Sequence, residues 1–392
     1  MTEGSMSLEK IEALLADAVA TNAASGIVAG VTTRDGTVLR AAAGKVAAGG
    51  DAAMNPDNIF WIASMTKAIT SIAAMGLVEK GVIRTDEPIA RILPELGNPQ
   101  VLEGFDADGK PKLRPARGAI TLGQLLSHSS GFPEHVWRAD ILRYLTATGT
   151  PPTSTAKRAA LNLPLVGDPG TVWQYGISHD WVGQFIERVS GQTIDAYLRD
   201  HVFAPLGMKD SGYELNAAQR ARLATAHRRE ADGRLTPFER GAVQGREYWP
   251  GGGSLNSTLD DYLAFARMIL NEGRVGDRQF LKPETVRRLP ENQTGTLPVS
   301  KLEPALPELS NAAEFLPGIR KGWGLGFMVN FEDVPGARKA GSLAWAGLSN
   351  CYYWIDPASG VAGVLLTQIL PFADKQVLDV FDRFERAVYA AR

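Results

Sequence analysis

The chain has 392 residues, 44% of them hydrophobic and 21% charged, the composition of a globular protein with enough apolar material for a sizeable core. A formal net charge of −2 excludes a global basic field that would gather nucleic acid or anionic lipid. The single cysteine, Cys351, excludes an intrachain disulfide, and without a CxxC or a Cys/His cluster a structural zinc site is not expected.

Met1 to Met6 carry no basic stretch leading into an apolar one, so no secretory signal is expected. No run approaches about 18 uninterrupted apolar residues, so no membrane-crossing helix is expected either. Together these features predict a cytoplasmic protein. Ser7 to Thr21 reads as an amphipathic helix, with Leu8, Ile11, Leu14, Leu15 and Val19 at helical spacing. Ile27 to Thr33 is a β-rich run, and Asp35-Gly36 after it signals a hairpin. Ile59 to Ala63 is a short apolar run that leads directly into Ser64. From Met65 to Lys80 the pattern is helical, closed by Gly81.

Residues 81 to 250 read as helical and loop-rich, with candidate helices at Thr121–Ser127, Ile141–Leu145, Ser178–Ser190 and Ile194–Val202. The stretch 146–170 is rich in Thr and Pro and is expected to cross the surface. Leu259 to Asn271 is a further helix. Gly326–Phe331, Leu343–Trp345, Cys351–Ile355 and Val361–Gln368 read as strands, with Asp356 to Gly360 as the turn between the last two. Cys351 reads as a small buried residue near a strand. Val377 to Arg392 closes the chain as an amphipathic helix. Strands grouped at the two ends predict an α+β fold: one antiparallel sheet flanked by N- and C-terminal helices. The expected division is an α/β domain from residues 1–80 and 251–392, with residues 81–250 as a mainly helical inserted domain.

Ser64-Met65-Thr66-Lys67 is the sharpest local signal for chemistry. A serine at a helix start places its Oγ among free backbone N–H groups and at the positive dipole end. Lys67, one turn on, lies on the same helix face and can reach that oxygen. Burial and the helix N-terminus both favour the neutral amine, which supplies the adjacent base that an activated nucleophile needs. The tetrapeptide is short, and S-x-x-K also occurs at Ser7–Lys10 and Ser154–Lys157. Only Ser64 joins an apolar strand to a strongly apolar helix. Locally, Ser64 has a second reading as a plain N-cap.

The wider order of motifs separates these readings. Ser64-x-x-Lys67 is followed by Leu125 to Gly131, Pro169-Gly170-Thr171-Val172-Trp173-Gln174-Tyr175, Pro205 to Met208, Gly251-Gly252-Gly253-Ser254 and Trp345-Ala346-Gly347. This series resembles the serine β-lactamase and penicillin-binding-protein superfamily, and within it the class C β-lactamase-like family VIII carboxylesterases. The resemblance implies that Ser64, Lys67 and Tyr175 are catalytic. It implies an oxyanion hole from the backbone N–H groups of Ser64 and Leu348. It places Trp345, Ala346, Gly347 and Ile177 at the substrate. Trp345 stands where the family carries the lysine of Lys-Thr-Gly, and Ile177 where class C enzymes carry asparagine. Both departures remove polar contacts and favour a neutral ester over a β-lactam. The expected activity is hydrolysis of short-chain or small aryl and alkyl esters through an acyl-enzyme, with Lys67 and Tyr175 as proton shuttle. No metal or organic cofactor is implied, and the expected partner is a small-molecule ester rather than nucleic acid or membrane. The same residues also suit amide chemistry (a β-lactamase or D-amino-acid peptidase) or acyl transfer to an alcohol. A non-catalytic penicillin-recognising scaffold is the remaining alternative. Tyr248, Trp249, Tyr352, Tyr353 and Trp354 are candidates for either an acyl pocket or the core.

Overall fold

The computed structural model describes residues 3–241 and 243–392, with side chains from Glu9 onward. Ser7 and Leu8 therefore lie outside the described side chains. Helix α1 (Glu3–Ala20) buries Ile11, Leu14, Leu15 and Ala18, a stripe at the spacing that a core-facing helix requires. Strands β1 (Gly26–Thr33) and β2 (Thr37–Gly44) form the expected hairpin around Asp35-Gly36.

The central sheet has seven strands, each antiparallel to its neighbours. In spatial order they are Lys321–Trp323, Met328–Asn330, Leu343–Gly347, Cys351–Asp356, Val361–Leu366, β1 and β2. The two ends of the chain meet where Val28 pairs with Leu366 and Thr33 with Val361. The α+β architecture read from the sequence is the one observed. The C-terminal helix Lys375–Ala390 packs against α1 and buries Val377, Val380, Phe384 and Val388. Its one buried charge, Glu385, is paired with buried Arg338 at 2.5 Å, which answers the cost of placing either ion in the core. Helix Leu259–Leu270 packs against β1 and the strands Cys351–Asp356 and Val361–Leu366.

Strand Cys351–Asp356 is buried at every position; Trp354 belongs to the core, while Tyr352 and Tyr353, also buried, line a cavity of about 510 Å³ together with Trp345. Tyr248 is also buried, whereas Trp249 is half-buried and stacks near Tyr213. The Cys351 thiol is buried, and burial pushes it up to about 11, so it is no ready nucleophile. Residues 81–250 contain helices Leu122–Leu126, Ala139–Thr148 and Ser178–Ser190. They also contain two hairpins that the sequence pattern does not reveal, Gln100–Phe105 with Pro111–Pro115 and Ala226–Arg229 with Leu235–Phe238. Among the described residues no helix is long and apolar enough to cross a membrane.

Candidate active site

The short strand β3 (Phe60–Trp61) ends in a tight 3-10 turn, Ala63–Met65, which runs straight into helix α2 (Thr66–Glu79). Ala63 takes a left-handed backbone (φ 44°), a conformation that costs a non-glycine residue on the order of 1–3 kcal/mol. This bend sets Ser64 at the mouth of the helix, half-buried among buried neighbours. Ser64 caps nothing. Thr66 Oγ1 donates to the Ala63 carbonyl (2.6 Å), and Ser64 Oγ instead accepts from Lys67 Nζ at 3.1 Å. The N-cap reading is therefore set aside by the geometry.

Lys67 is 5% exposed and sits under a second restraint, because Nζ also donates to the Gly252 carbonyl at 2.6 Å. Gly251 accepts from Thr70 Oγ1 at 2.7 Å, so the glycine run lies across the first turns of α2. A Cβ on Gly251 would overlap the His179 carbonyl, which is why the run approaches so closely. The Nζ of Lys67 stands 4.8 Å from the centre of the Tyr175 ring. The Tyr175 hydroxyl in turn accepts from the indole Nε1–H of Trp345 at 3.0 Å. Tyr175 is 2% exposed and is enclosed by His128, Trp137, Trp173, Trp323 and Trp345.

Strand Leu343–Gly347 runs alongside the Ser64 turn. A Cβ at Gly347 would overlap the Ile62 carbonyl oxygen, and Ser349 Oγ donates to the Trp61 carbonyl at 2.7 Å. Leu348 lies between these two contacts, half-buried, and its N–H donates to no group among the described residues. Ser64 N–H is at the start of its turn, where no intrahelical acceptor exists. Trp345 is 5% exposed and Ala346 1% exposed. Ile177 is 1% exposed and packs with the buried residues around the Tyr175 loop.

Three further residues shape this site. His128 is fully buried with neither ring nitrogen partnered among the described residues, and burial holds it neutral, far below the ordinary histidine range. His179, also buried and neutral, meets Ser71 through Nε2 at 2.9 Å. Asp180 is buried, and its Oδ1 accepts the Gly252 N–H at 2.9 Å. The Gly252 peptide therefore joins Asp180 on one side to Lys67 on the other. The sequence does not reveal Asp180 because a carboxylate two residues past a helix start looks like an exposed N-terminal anion.

Burial pushes Asp180 up to about 6, tempered by the Gly252 N–H and by Lys67. A carboxyl raised from 3.8 in the unfolded chain gives stability that is whole below about pH 4 and is lost as pH climbs to about 6. Asp180→Asn keeps the oxygen that Gly252 uses but removes the titration. The unfolding free energy of wild type relative to Asp180→Asn is expected to fall between pH 4 and 6.5 by on the order of 2 kcal/mol. Denaturant titrations across that range check it, and a flat difference rules it out.

A family model described as Beta-lactamase matches residues 11–386. A monacolin J acid methylbutanoyltransferase of Aspergillus terreus is 33% identical over 344 residues, covering 84% of this chain and 81% of the relative. A lovastatin esterase of Penicillium rubens is 30% identical over 356 residues, covering 85% of each chain. Among solved structures, a variant of simvastatin synthase from Aspergillus terreus superposes with a TM-score of 0.83 at 29% identity, covering 98% of this chain and 95% of that one. At 20% identity and a TM-score of 0.76, a hydrolase with promiscuous acyltransferase activity shares the fold over 98% of this chain and 99% of its own. A sheet closed by both chain ends, a serine turn set against its Gly347 strand, and matches of this extent have one reading: the chain belongs to the β-lactamase family, in its serine hydrolase and acyltransferase branch.

Proposed function

We propose that the protein is a serine esterase that also transfers acyl groups to alcohols. The observation that carries this reading is the Lys67 amine held 3.1 Å from Ser64 Oγ by the Gly252 carbonyl, with Tyr175 and Trp345 closing the other side. Ser64 Oγ attacks the ester carbonyl while Lys67 takes its proton. The new oxyanion lies between the N–H groups of Ser64 and Leu348. As the C–O bond to the leaving alcohol breaks, the proton passes by way of Tyr175 to that oxygen. A hydroxyl acceptor, water or alcohol, then attacks the acyl-enzyme by the reverse route and restores Ser64.

Trp345 gives this site a neutral donor where a lysine would provide a cation. Its indole N–H stabilises negative charge on the Tyr175 oxygen, and no ammonium stands there to hold a β-lactam carboxylate. That favours esters over β-lactams and D-Ala peptides. The relatives support both acceptors, since one is named for methylbutanoyl transfer and another for lovastatin ester hydrolysis.

The test is one preparation supplied with p-nitrophenyl butyrate, with and without 1-butanol, and separately with nitrocefin. We expect a butanoyl adduct on the Ser64 peptide, butyrate in water and butyl butyrate when butanol is present. Faster turnover of nitrocefin would move the protein to amide chemistry. Absence of any acyl adduct would return it to a non-catalytic scaffold.

A further inference from the structure

Lys67 and Asp180 are both buried, and neither forms a direct ion pair among the described residues. They are nevertheless near neighbours. A Cβ built on Gly252 would stand 3.3 Å from Lys67 Nζ and 3.3 Å from Asp180 Oδ1, so amine and carboxylate lie at most twice that distance apart. Gly252 does not have a left-handed backbone, so its φ makes no demand for glycine. The gap makes the demand, because a side chain at this position would press on both groups at once.

The other groups that face Asp180 leave Lys67 as the cation acting on it. The Gly252 N–H holds the carboxylate at 2.9 Å but carries no charge. Glu134 is a second acid nearby, and it is engaged by His135 Nδ1 at 2.6 Å and by Thr153 Oγ1 at 3.0 Å. The phenols of Tyr213 and Tyr248 also sense Asp180, and burial keeps both neutral. His128 and His179, which sense Lys67, are held neutral by burial as well.

We propose that Asp180 is a positioning residue for acylation: across Gly252, its anion stabilises the ammonium that Lys67 becomes on taking the Ser64 proton. This rests on the reading of Lys67 as the base that activates Ser64. In that step the Oγ–H bond breaks, an Nζ–H bond forms, and the Oγ electron pair joins the ester carbonyl carbon. A neutral amine thereby turns into a buried cation, and an anion close by offsets that cost. Set behind the glycine, the carboxylate favours the ammonium without drawing Nζ away from Ser64 Oγ.

Asp180→Asn keeps an oxygen for the Gly252 N–H and removes the charge. The two proteins are compared in p-nitrophenyl butyrate hydrolysis from pH 5 to 8. Wild type is expected to exceed Asp180→Asn about tenfold in kcat at pH 8, with equal KM. Burial raises Asp180 to about 6, so the ratio should shrink toward one as pH falls through that value and the carboxylate is neutralised. In Lys67→Met protein the same substitution should change kcat by less than about twofold, since the anion has no amine to act through. Asp180→Ala, which removes the oxygen as well, is the second variant should the first fail to fold. Its ratio should show the same tenfold fall above a constant loss. A ratio that does not vary with pH, or an equal effect in wild-type and Lys67→Met protein, would overturn the role of Asp180. A Lys67→Met enzyme as fast as wild type, or a wild type without turnover, would instead remove the reading on which that role rests.

Discussion

Lys67→Met is expected to lower kcat for p-nitrophenyl butyrate by about 10⁴-fold, the upper range for loss of a positioned general base. Methionine fills nearly the same volume, so the buried helix start around Thr66 and Thr70 keeps its packing. The amine is lost, and with it the one hydrogen-bond partner that Ser64 Oγ has among the described residues. The Gly252 carbonyl also loses its donor, which costs about 1–3 kcal/mol for a buried acceptor left unpaired. Two readouts are therefore expected together: collapse of kcat with little change in KM, and a modest drop in Tm. A Lys67→Met enzyme within tenfold of wild type would show that Tyr175 alone activates the serine.

Gly347→Ala is expected to cost about 10²-fold in kcat/KM together with a clear loss of stability. The added methyl would overlap the Ile62 carbonyl oxygen, and neither backbone has room to yield without moving the other. On one side is the strand that presents the Leu348 N–H; on the other is the turn that presents Ser64. Parting them by even about 1 Å misplaces one oxyanion donor, and the loss of one such donor costs about 10²–10³ in rate. Steady-state kinetics and thermal melts check both effects. Unchanged kinetics in a destabilised protein would mean that the strand end bears on folding and not on the oxyanion. In the structure this glycine makes room for the Ile62 carbonyl, the backbone that leads into Ser64.

Periodic segments were legible. Helices Thr66–Glu79 and Ser178–Ser190 have apolar spacing that admits one reading, and Asp35-Gly36 marks its hairpin because few other dipeptides tolerate that turn. Strand Cys351–Asp356 was legible from its unbroken apolar run. The hairpin Gln100–Phe105 with Pro111–Pro115 was not, since only Val101 and Leu102 of its strands are buried and no apolar alternation marks it. Lys321–Trp323 is too short for any period to register, so Trp323 could not be placed against His128 and Trp345.

In the site, sequence order brought Ser64, Lys67 and Tyr175 together, because the motifs are local and carry their turns with them. What remained hidden depends on contacts across the fold. The Trp345 indole reads as an apolar wall until its N–H is seen to meet Tyr175. Asp180 gains meaning only from a partner 72 residues away.

The pairing of β1 with Val361–Leu366 also bears on how the chain is made. β1 is buried at seven of its eight positions, and one of its edges is satisfied only by residues more than 320 positions later. At synthesis rates of about 5–20 residues per second, that edge waits roughly 15–65 s on the ribosome before its partner exists. A flat apolar edge open for so long is a template for the next nascent chain. Yield of soluble protein should therefore depend more on elongation rate, temperature and holdase supply than on the stability of the finished fold.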